Sequence, residues 1–436
     1  MGTPITLGIK AYDVMSPLRG GKGMEQLKSL EPQRIAAVFR PSAPVGIRWA
    51  MRLLRTVPRS RRGAARLLIR LLYSPLTAKT KILLISLVSS VTLLGLAEAG
   101  GALVSSAGTD ERWALGYLFS DNAEPSGVTL FLLQDPAGLI VLAVVFVTPI
   151  FCCQQVQAIA DFVRMNERNG GAERLSAEQI GRLNRLVDRT NKWFGALGRR
   201  AVSAAIMAAM AIGTTLLYVF VNTHGLMQTW NPTRLSDSVW RSEVYTGWWA
   251  NRQTHPELAL ALCAAGTYAF YFLAKQLVMG VVFTVYLYRS EAIGFGVTPN
   301  MKFDSDGFQG LRPLRQFMLW TYGSALAHLI GLLVLFMVWL PAASWMVFIV
   351  LGVMVVDMLV IVYPSSIGYH SALAVKQAHV KLLYQTLSGE ECGAAIAQVW
   401  AGPVLPVTTR KAMTGIVAYL LVPAVPALIP VLFQRL

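Results

Sequence analysis

Charged residues are scarce in this 436-residue chain and make up 14% of it, whereas an average soluble domain carries about 25%. Hydrophobic residues make up 54%, and the mean hydropathy is +0.50. This composition excludes an ordinary water-soluble globule. Because the apolar residues are gathered in runs of about 20, the length that crosses a bilayer as a helix, we predict an all-α polytopic membrane protein.

The sequence also lacks the motifs of several protein classes. Its four cysteines do not have zinc-ligand spacing and imply no disulfide framework. No early segment combines a basic start, a short apolar core and a small-residue cleavage site, so we expect no cleaved signal peptide. No catalytic constellation or metal-ligand cluster is present, so we expect neither an enzyme nor a bound cofactor. An inverted pair of broken helices, the usual sequence pointer to a secondary transporter, is also missing.

Seven segments are long and apolar enough to cross about 30 Å of hydrocarbon. We therefore predict about seven transmembrane helices, at 82–105, 136–154, 201–221, 257–288, 317–340, 342–363 and 413–434. Asp135 and Pro136 favour a helix start at the second span, as N-cap and first helical residue.

The distribution of positive charge predicts the orientation of these spans. Residues 1–81 hold 16 Lys and Arg but three acids, so they carry +13 of the net charge of +16. Three later loops have an excess of Lys and Arg over acids and fall on the same side: 155–200, 289–316 and 364–412. The positive-inside rule then places the N-terminus in the cytoplasm and the C-terminus outside. We expect a plasma membrane location, of the bacterial inner-membrane type.

The cytoplasmic loops carry helical patterns. Ser176 and Gln179 fit a capping box, and apolar residues follow at helical spacing. We predict a helical hairpin over 155–200, in which the second span continues to about Arg168 and a new helix begins at Ala177. With the segment 364–412 it forms a cytoplasmic helical layer. The chain then divides into a basic cytoplasmic region, 1–81, and a transmembrane domain, 82–436.

Arginines recur on one face of two short amphipathic helices within residues 47–72. They are Arg48, Arg52, Arg55, Arg59, Arg62, Arg66 and Arg70. Basic amphipathic helices beside a span are typical of elements that lie on an anionic membrane surface, so we predict anionic lipids as partners. Aromatic residues other than Trp49 do not interleave with the arginines, so we expect no nucleic-acid binding.

Ionisable residues inside spans are hypotheses for functional sites, because a buried charge in hydrocarbon is costly. Counting helical rise places His328 near the midplane of the fifth span. Lys275 and Asp357 fall at one depth in the fourth and sixth spans, where they could form a pair. Lys275 could instead extend to the interface, and His328 could make an ordinary interhelical hydrogen bond.

The seventh span contains three prolines, Pro423, Pro426 and Pro430. Each removes a backbone hydrogen bond and exposes a carbonyl one turn earlier, on Tyr419, Val422 and Pro426 respectively. Hydrocarbon cannot satisfy these carbonyls. This helix therefore either packs at the centre of one protomer or lines an aqueous path.

Three functions fit these patterns. The first is an oligomeric ion channel or pore, with the seventh span lining the pathway and the chain as a homo-oligomer; the predicted plan is similar in outline to that of insect chemoreceptor channels. The second is an ion-coupled transporter that uses Asp357 and Lys275. The third is a membrane-embedded sensor or effector that binds a cytoplasmic protein through the helical layer. The Trp-rich loop 222–257 is either a surface cap or a ligand pocket.

Overall fold

The computed structural model of this chain describes residues 27–39, 78–104, 130–168, 175–226, 245–299, 310–338 and 344–402. The elements in these ranges are helices, and none of the described residues forms a strand beyond an isolated bridge between Leu130 and Trp248. The prediction of an all-α protein is confirmed.

The described helices follow one another with short connections where both ends are described. They are α1 (Pro32–Ala37), α2 (Ala78–Ala99), α3 (Pro136–Arg168), α4 (Ala177–Leu197), α5 (Arg200–His224), α6 (Pro256–Ile293), α7 (Arg312–Val338), α8 (Ser344–Thr386) and α9 (Gly389–Ala401).

Five of these helices are long and apolar enough to cross a membrane: α2, α3, α5, α6 and, from Leu351 onward, α8. The chain is thus a multi-pass integral membrane protein. The fifth predicted span, 317–340, falls on α7, and the seventh, 413–434, lies outside the described residues. The count of seven spans and the orientation stay predictions.

The predicted N-caps of two helices, α3 and α4, are present in the structure. Asp135 caps α3 because its Oδ1 accepts a hydrogen bond from the backbone N–H of Ala137 at 3.0 Å. At the start of α4, Ser176 Oγ accepts from the N–H of Gln179, and Gln179 Oε1 accepts from the N–H of Ser176. This reciprocal pair is the predicted capping box, so two N-terminal donors of the segment are satisfied.

Several helices are longer than a bilayer requires. Helix α6 has 38 residues and α8 has 43, or about 57 and 64 Å at 1.5 Å per residue. Helix α8 continues through Pro364, and α3 continues to Arg168 as predicted. Because these helices are longer than the roughly 30 Å of hydrocarbon in a bilayer, they are long enough to extend beyond it. The predicted cytoplasmic helical layer stays a prediction.

Helix α6 lies at the centre of the bundle, where it packs against α2, α3, α4, α5 and α8. Helix α7 packs mainly against α3 and also contacts α8. Helix α5 lies at the periphery, with Ile212 and Leu216 more than 60% exposed. Apolar side chains that point outward from a spanning helix are the expected contact with lipid tails, so α5 presents a lipid-facing surface.

The N-terminal region contributes a segment to the packed interior, which the charge count did not predict. Residues 27–39, here called the docked segment, lie against α3 and α4. The backbone N–H groups of Lys28 and Glu31 donate to the side-chain oxygens of Asn184 and Asn191 on α4, at 2.8 and 2.9 Å. Ile35 is fully buried, so the docked segment is part of the protein core.

Candidate functional site

A seam of seven buried polar side chains runs between the spanning helices. Its members are Thr148, Cys152 and Gln155 on α3, Gln276 on α6, and Thr321, Ser324 and His328 on α7. On α3 and on α7 these residues recur at intervals of three or four, so each set lies on one helix face. The seam therefore gathers polar groups of α3, α6 and α7 in an otherwise apolar bundle.

The hydrogen bonds around His328 fix its tautomer. Gln276 Oε1 can only accept, so the Ser324 hydroxyl donates its hydrogen to it, at 2.9 Å. Ser324 Oγ must then accept from His328 Nδ1, at 3.2 Å. In a neutral ring the other nitrogen, Nε2, accepts, and Thr148 Oγ1 donates to it at 3.0 Å. The chain of donors from Thr148 through His328 and Ser324 to Gln276 thus runs in one direction.

A separate contact in the seam joins Gln155 to Thr321 and leaves the side-chain oxygen of Gln155 without a partner among the described residues. The Gln155 amide nitrogen donates to Thr321 Oγ1. Its Oε1 is buried and has no hydrogen-bond partner among the described residues. An unpaired buried amide oxygen is costly, and a bound water is the ordinary way in which such an oxygen is satisfied.

A small cavity lies beside His328, between α3, α6 and α7. Its volume is about 50 Å³, and His328 is the one polar side chain in a lining that includes Val144, Phe270 and Leu335. Both ring nitrogens of His328 already have partners. Because the lining offers water no free hydrogen-bond partner, the cavity does not extend the polar seam into a water path.

Lys275 is fully buried, and its ammonium group has two oxygen partners. The Nζ atom donates to the backbone carbonyl of Val38 at 2.6 Å and to Ser203 Oγ at 2.8 Å, and it lies 4.8 Å from the centre of the Tyr271 ring. The predicted pair with Asp357 is wrong, because Lys275 forms no ion pair in the described part of the chain. It does not extend to the interface either, because none of it is exposed.

The other two ionisable residues, Asp357 and His328, are also buried inside the bundle. Asp357 is buried on α8, which packs against α6 and α7. His328 is buried on α7 and bonds across to Thr148 of α3. The interhelical hydrogen bond that the sequence allowed for His328 is therefore confirmed. A role of either residue in transport stays a prediction.

At the end of the bundle where α3 begins, Asp135 has a second role in addition to the predicted helix cap. Asp135 is fully buried, and its Oδ2 accepts from the indole N–H groups of Trp248 and Trp249 at 3.0 and 2.8 Å. Both indoles are almost completely buried. In this part of the loop 222–257 the tryptophans form a cap over the helix ends. Trp230 and Trp240 lie outside the described residues.

Two predicted sites also lie outside the described residues. One is the set of carbonyl and proline positions in the seventh span, from Tyr419 to Pro430. The other is the arginine-rich segment 47–72.

Sequence analysis missed most of the polar seam. A signal was present, because Thr148, Cys152 and Gln155 share a face of one predicted span, and Thr321, Ser324 and His328 share a face of another. Apart from His328, these residues carry no charge, whereas the ionisable residues in the spans stand out in the sequence. Uncharged polar residues at helical spacing in two spans would have predicted that α3 and α7 pack together.

Comparison of this chain with protein-family models, with curated proteins and with solved structures found no match.

Proposed function

We propose that this protein is an oligomeric membrane channel whose pathway lies between copies of the chain and is lined by residues 413–434. One observation supports a pathway outside the described bundle: most of the polar side chains buried in that bundle have hydrogen-bond partners within the protein, either side chains or backbone groups. The seam around His328 is closed in this way, and the neighbouring cavity is apolar. The ends are closed by Trp248 and Trp249 on one side and by the docked segment on the other.

The chemistry of residues 413–434 suits an aqueous path. Three prolines expose the carbonyls of Tyr419, Val422 and Pro426, which water in a shared lumen would satisfy. Carbonyl dipoles that point into a pore favour cations over anions. Ala424 and Ala427 are small enough to let neighbouring copies approach closely.

The transporter hypothesis receives less support from the same observations. It required Lys275 and Asp357 as a coupling pair. The ammonium group of Lys275 is instead bound to the Val38 carbonyl and to Ser203. A residue held in this way is suited to fix the docked segment rather than to exchange partners in a transport cycle.

The experiment is to measure conductance of the purified full-length protein in planar bilayers. We expect discrete, cation-selective current steps. Single cysteines from Leu420 to Val431 should then react with a small aqueous thiol reagent along one helical face and block the current. Currents that persist while all these cysteines stay protected would exclude residues 413–434 from the pathway. A protein that assembles and never conducts would exclude the channel.

We further propose that residues 47–72 bind the anionic surface of the membrane beside the bundle. Each Arg near such a surface contributes about 1 kcal/mol, so seven arginines give appreciable binding at low salt. A peptide of this sequence should sediment with vesicles that contain anionic lipid and be released by salt. A peptide that stays in solution with such vesicles at low ionic strength would contradict the proposal.

A further inference from the structure

The outer face of α4 carries a row of exposed, positively charged side chains. Arg185, Arg189 and Lys192 are exposed, and none of them forms an ion pair within the described residues. At intervals of three or four residues they share one helix face, and Trp193 beside them is 57% exposed. We call Arg185, Arg189, Lys192 and Trp193 the basic stripe. The opposite face of α4 is buried against the bundle, so the basic stripe is the surface that α4 presents outward.

A helical hairpin, residues 371–401, forms a second exposed surface, which is apolar and acidic. Its two arms are the end of α8 and the whole of α9, and Lys376 of α8 joins them by donating to the carbonyls of Val399 and Gly402. The hairpin exposes four large apolar side chains by 36 to 67%: Leu382, Tyr384, Leu387 and Trp400.

The predicted sixth span ends well before Leu382 and Tyr384, the two of these side chains that lie on α8. Tyr384 lies 21 residues beyond Tyr363, the end of the sixth predicted span, which is about 31 Å of helix.

The ends of α3 and α8 both lie beside the end of α6, because Asn166 donates to the Gly296 carbonyl and Tyr363 donates to Glu291. The start of α4 is at the same end, where Gln179 donates to the Ile293 carbonyl. The hairpin, which follows this part of α8, and α4 therefore lie beyond the same end of the bundle. Large apolar side chains that stay exposed together in water mark an interaction surface.

The charges of the two surfaces are complementary. Glu390 and Glu391 are exposed in the first turn of α9, and Lys381 is the one exposed cation of the hairpin. The basic stripe carries three cations and one exposed indole. Each surface therefore combines aromatic area with charge, and the signs are opposite, as in interfaces that select partner and register electrostatically.

We propose that the hairpin of one copy of this chain binds the basic stripe of the next copy. Within the protomer both α4 and α8 pack against α6, so the two surfaces are carried on different neighbours of one central helix. A contact between two different surfaces is heterologous, and repetition with a closing rotation generates a ring. A ring would bring the residues that follow the hairpin, 413–434, around a common axis. The inference thus rests on the proposed channel and names the contact that assembles it.

The experiment exchanges the charges of the two surfaces in the full-length protein. In E390K/E391K and in R185E/R189E, like charges would face one another across the contact. We expect each double variant to raise the concentration at which purified oligomers dissociate by about tenfold or more. The four changes together should restore assembly to within about threefold of the parent. The matched control is K381E, which changes charge on the same hairpin and leaves the proposed attraction in place; it should not weaken assembly.

Cysteine cross-linking tests directly whether the hairpin of one copy contacts the basic stripe of another. A preparation that mixes E390C chains with R185C chains should form a cross-linked dimer, and neither chain should do so alone. Helix content by circular dichroism shows whether each variant is folded. Parent-like assembly of both charge-reversal variants would overturn the proposal. Loss of assembly in R185E/R189E alone, without rescue, would also overturn it and would assign the basic stripe to another partner, such as anionic lipid.

Failure of the proposed contact between copies can be distinguished from failure of the proposed channel. Cross-linked rings that do not conduct would remove the channel and keep the contact. Conducting protein without the mixed-chain cross-link would remove the contact and keep the channel.

Discussion

The ammonium nitrogen of Lys275 lies 2.6 Å from the carbonyl oxygen of Val38, although 237 residues separate the two in the chain. The contact joins the docked segment to the central helix α6 at a fully buried position. Phe39, the next residue, stacks on Phe272 with ring centres 5.6 Å apart. A buried ammonium without an acid nearby depends on such oxygen partners, since an unsatisfied charge is far more costly than an unsatisfied neutral group. Lys275 therefore holds the docked segment in place.

Replacement of Lys275 by Met should release the docked segment. The change removes a hydrogen bond to a charged group, worth about 1.5–3 kcal/mol, so the open population should rise by roughly tenfold or more. Limited trypsin digestion measures this, because cleavage after Arg34 requires that the fully buried Ile35 leave its site. Lys79→Met, an exposed lysine on α2, is the control and should not change the rate. Equal cleavage in both variants would show that Lys275 does not fix the segment.

The proton of the His328 ring should reside on Nδ1. This follows from the donor order of the seam, in which Ser324 donates to Gln276 and can only accept from the ring. Nuclear magnetic resonance of protein with ¹⁵N-labelled histidine distinguishes the two tautomers by the shifts of the ring nitrogens. Thr148→Val, which removes the donor to Nε2, should move the Nε2 resonance and leave Nδ1 nearly unchanged. A hydrogen found on Nε2 would refute the proposed direction of the seam.

Removal of the Asp135 carboxylate should destabilise the end of the bundle. Asp135→Ala abolishes the cap of α3 and leaves the indole N–H groups of Trp248 and Trp249 without this acceptor. The loss of the cap and of bonds to a charged acceptor should together lower the free energy of unfolding by about 3 kcal/mol or more. Denaturant titration in micelles gives this value, and tryptophan emission should shift to the red. Asp161→Ala, which breaks a surface pair with Arg164, should cost less than about 1 kcal/mol. Equal losses in the two variants would contradict the role of Asp135.

The close approach of α6 and α8 should not tolerate a side chain at position 280. A Cβ atom on Gly280 would lie 2.8 Å from Cγ1 of Val360, a side chain that is stiff at χ1. Gly280→Val should therefore lower the stability of the protein in micelles by about 1–3 kcal/mol. Gly352→Val on α8 has open space around the new side chain and supplies the comparison, since it carries a similar change in helix propensity. A smaller loss at 280 than at 352 would show that the two helices can move apart.

Local features of this protein could be predicted from sequence because they depend on neighbours in the chain. The caps at Asp135 and at Ser176 with Gln179 involve residues at most three positions apart. The lengths of the apolar runs determine which helices can span a membrane. The predicted continuation of α3 to about Arg168 depends on the residues Asn169-Gly170-Gly171 that come next in the sequence, because these residue types favour turns over helix. These patterns are governed by backbone hydrogen bonding and hydrophobicity, which act over a few residues.

The partners of the buried polar groups could not be predicted in the same way. Helical rise gives the depth of a residue such as Lys275, but it does not give the direction in which its side chain points. Lys275 and Asp357 share a predicted depth, yet Lys275 bonds to Val38 and Ser203. The charge count placed the docked segment in a basic region outside the bundle. In the structure Ile35 and Val38 of this segment are buried in the core.

The sequence by itself determined that this is an all-α, multi-pass membrane protein, because composition and apolar periodicity decide which segments can leave water. The tertiary structure alone decided which helices are neighbours. It joined α3 to α7 through the polar seam, placed the docked segment against Lys275, and closed the end of the bundle with Asp135 beneath two indoles. In hydrocarbon every buried polar group needs a partner, and only the packing of helices distant in sequence determines which partner is within reach.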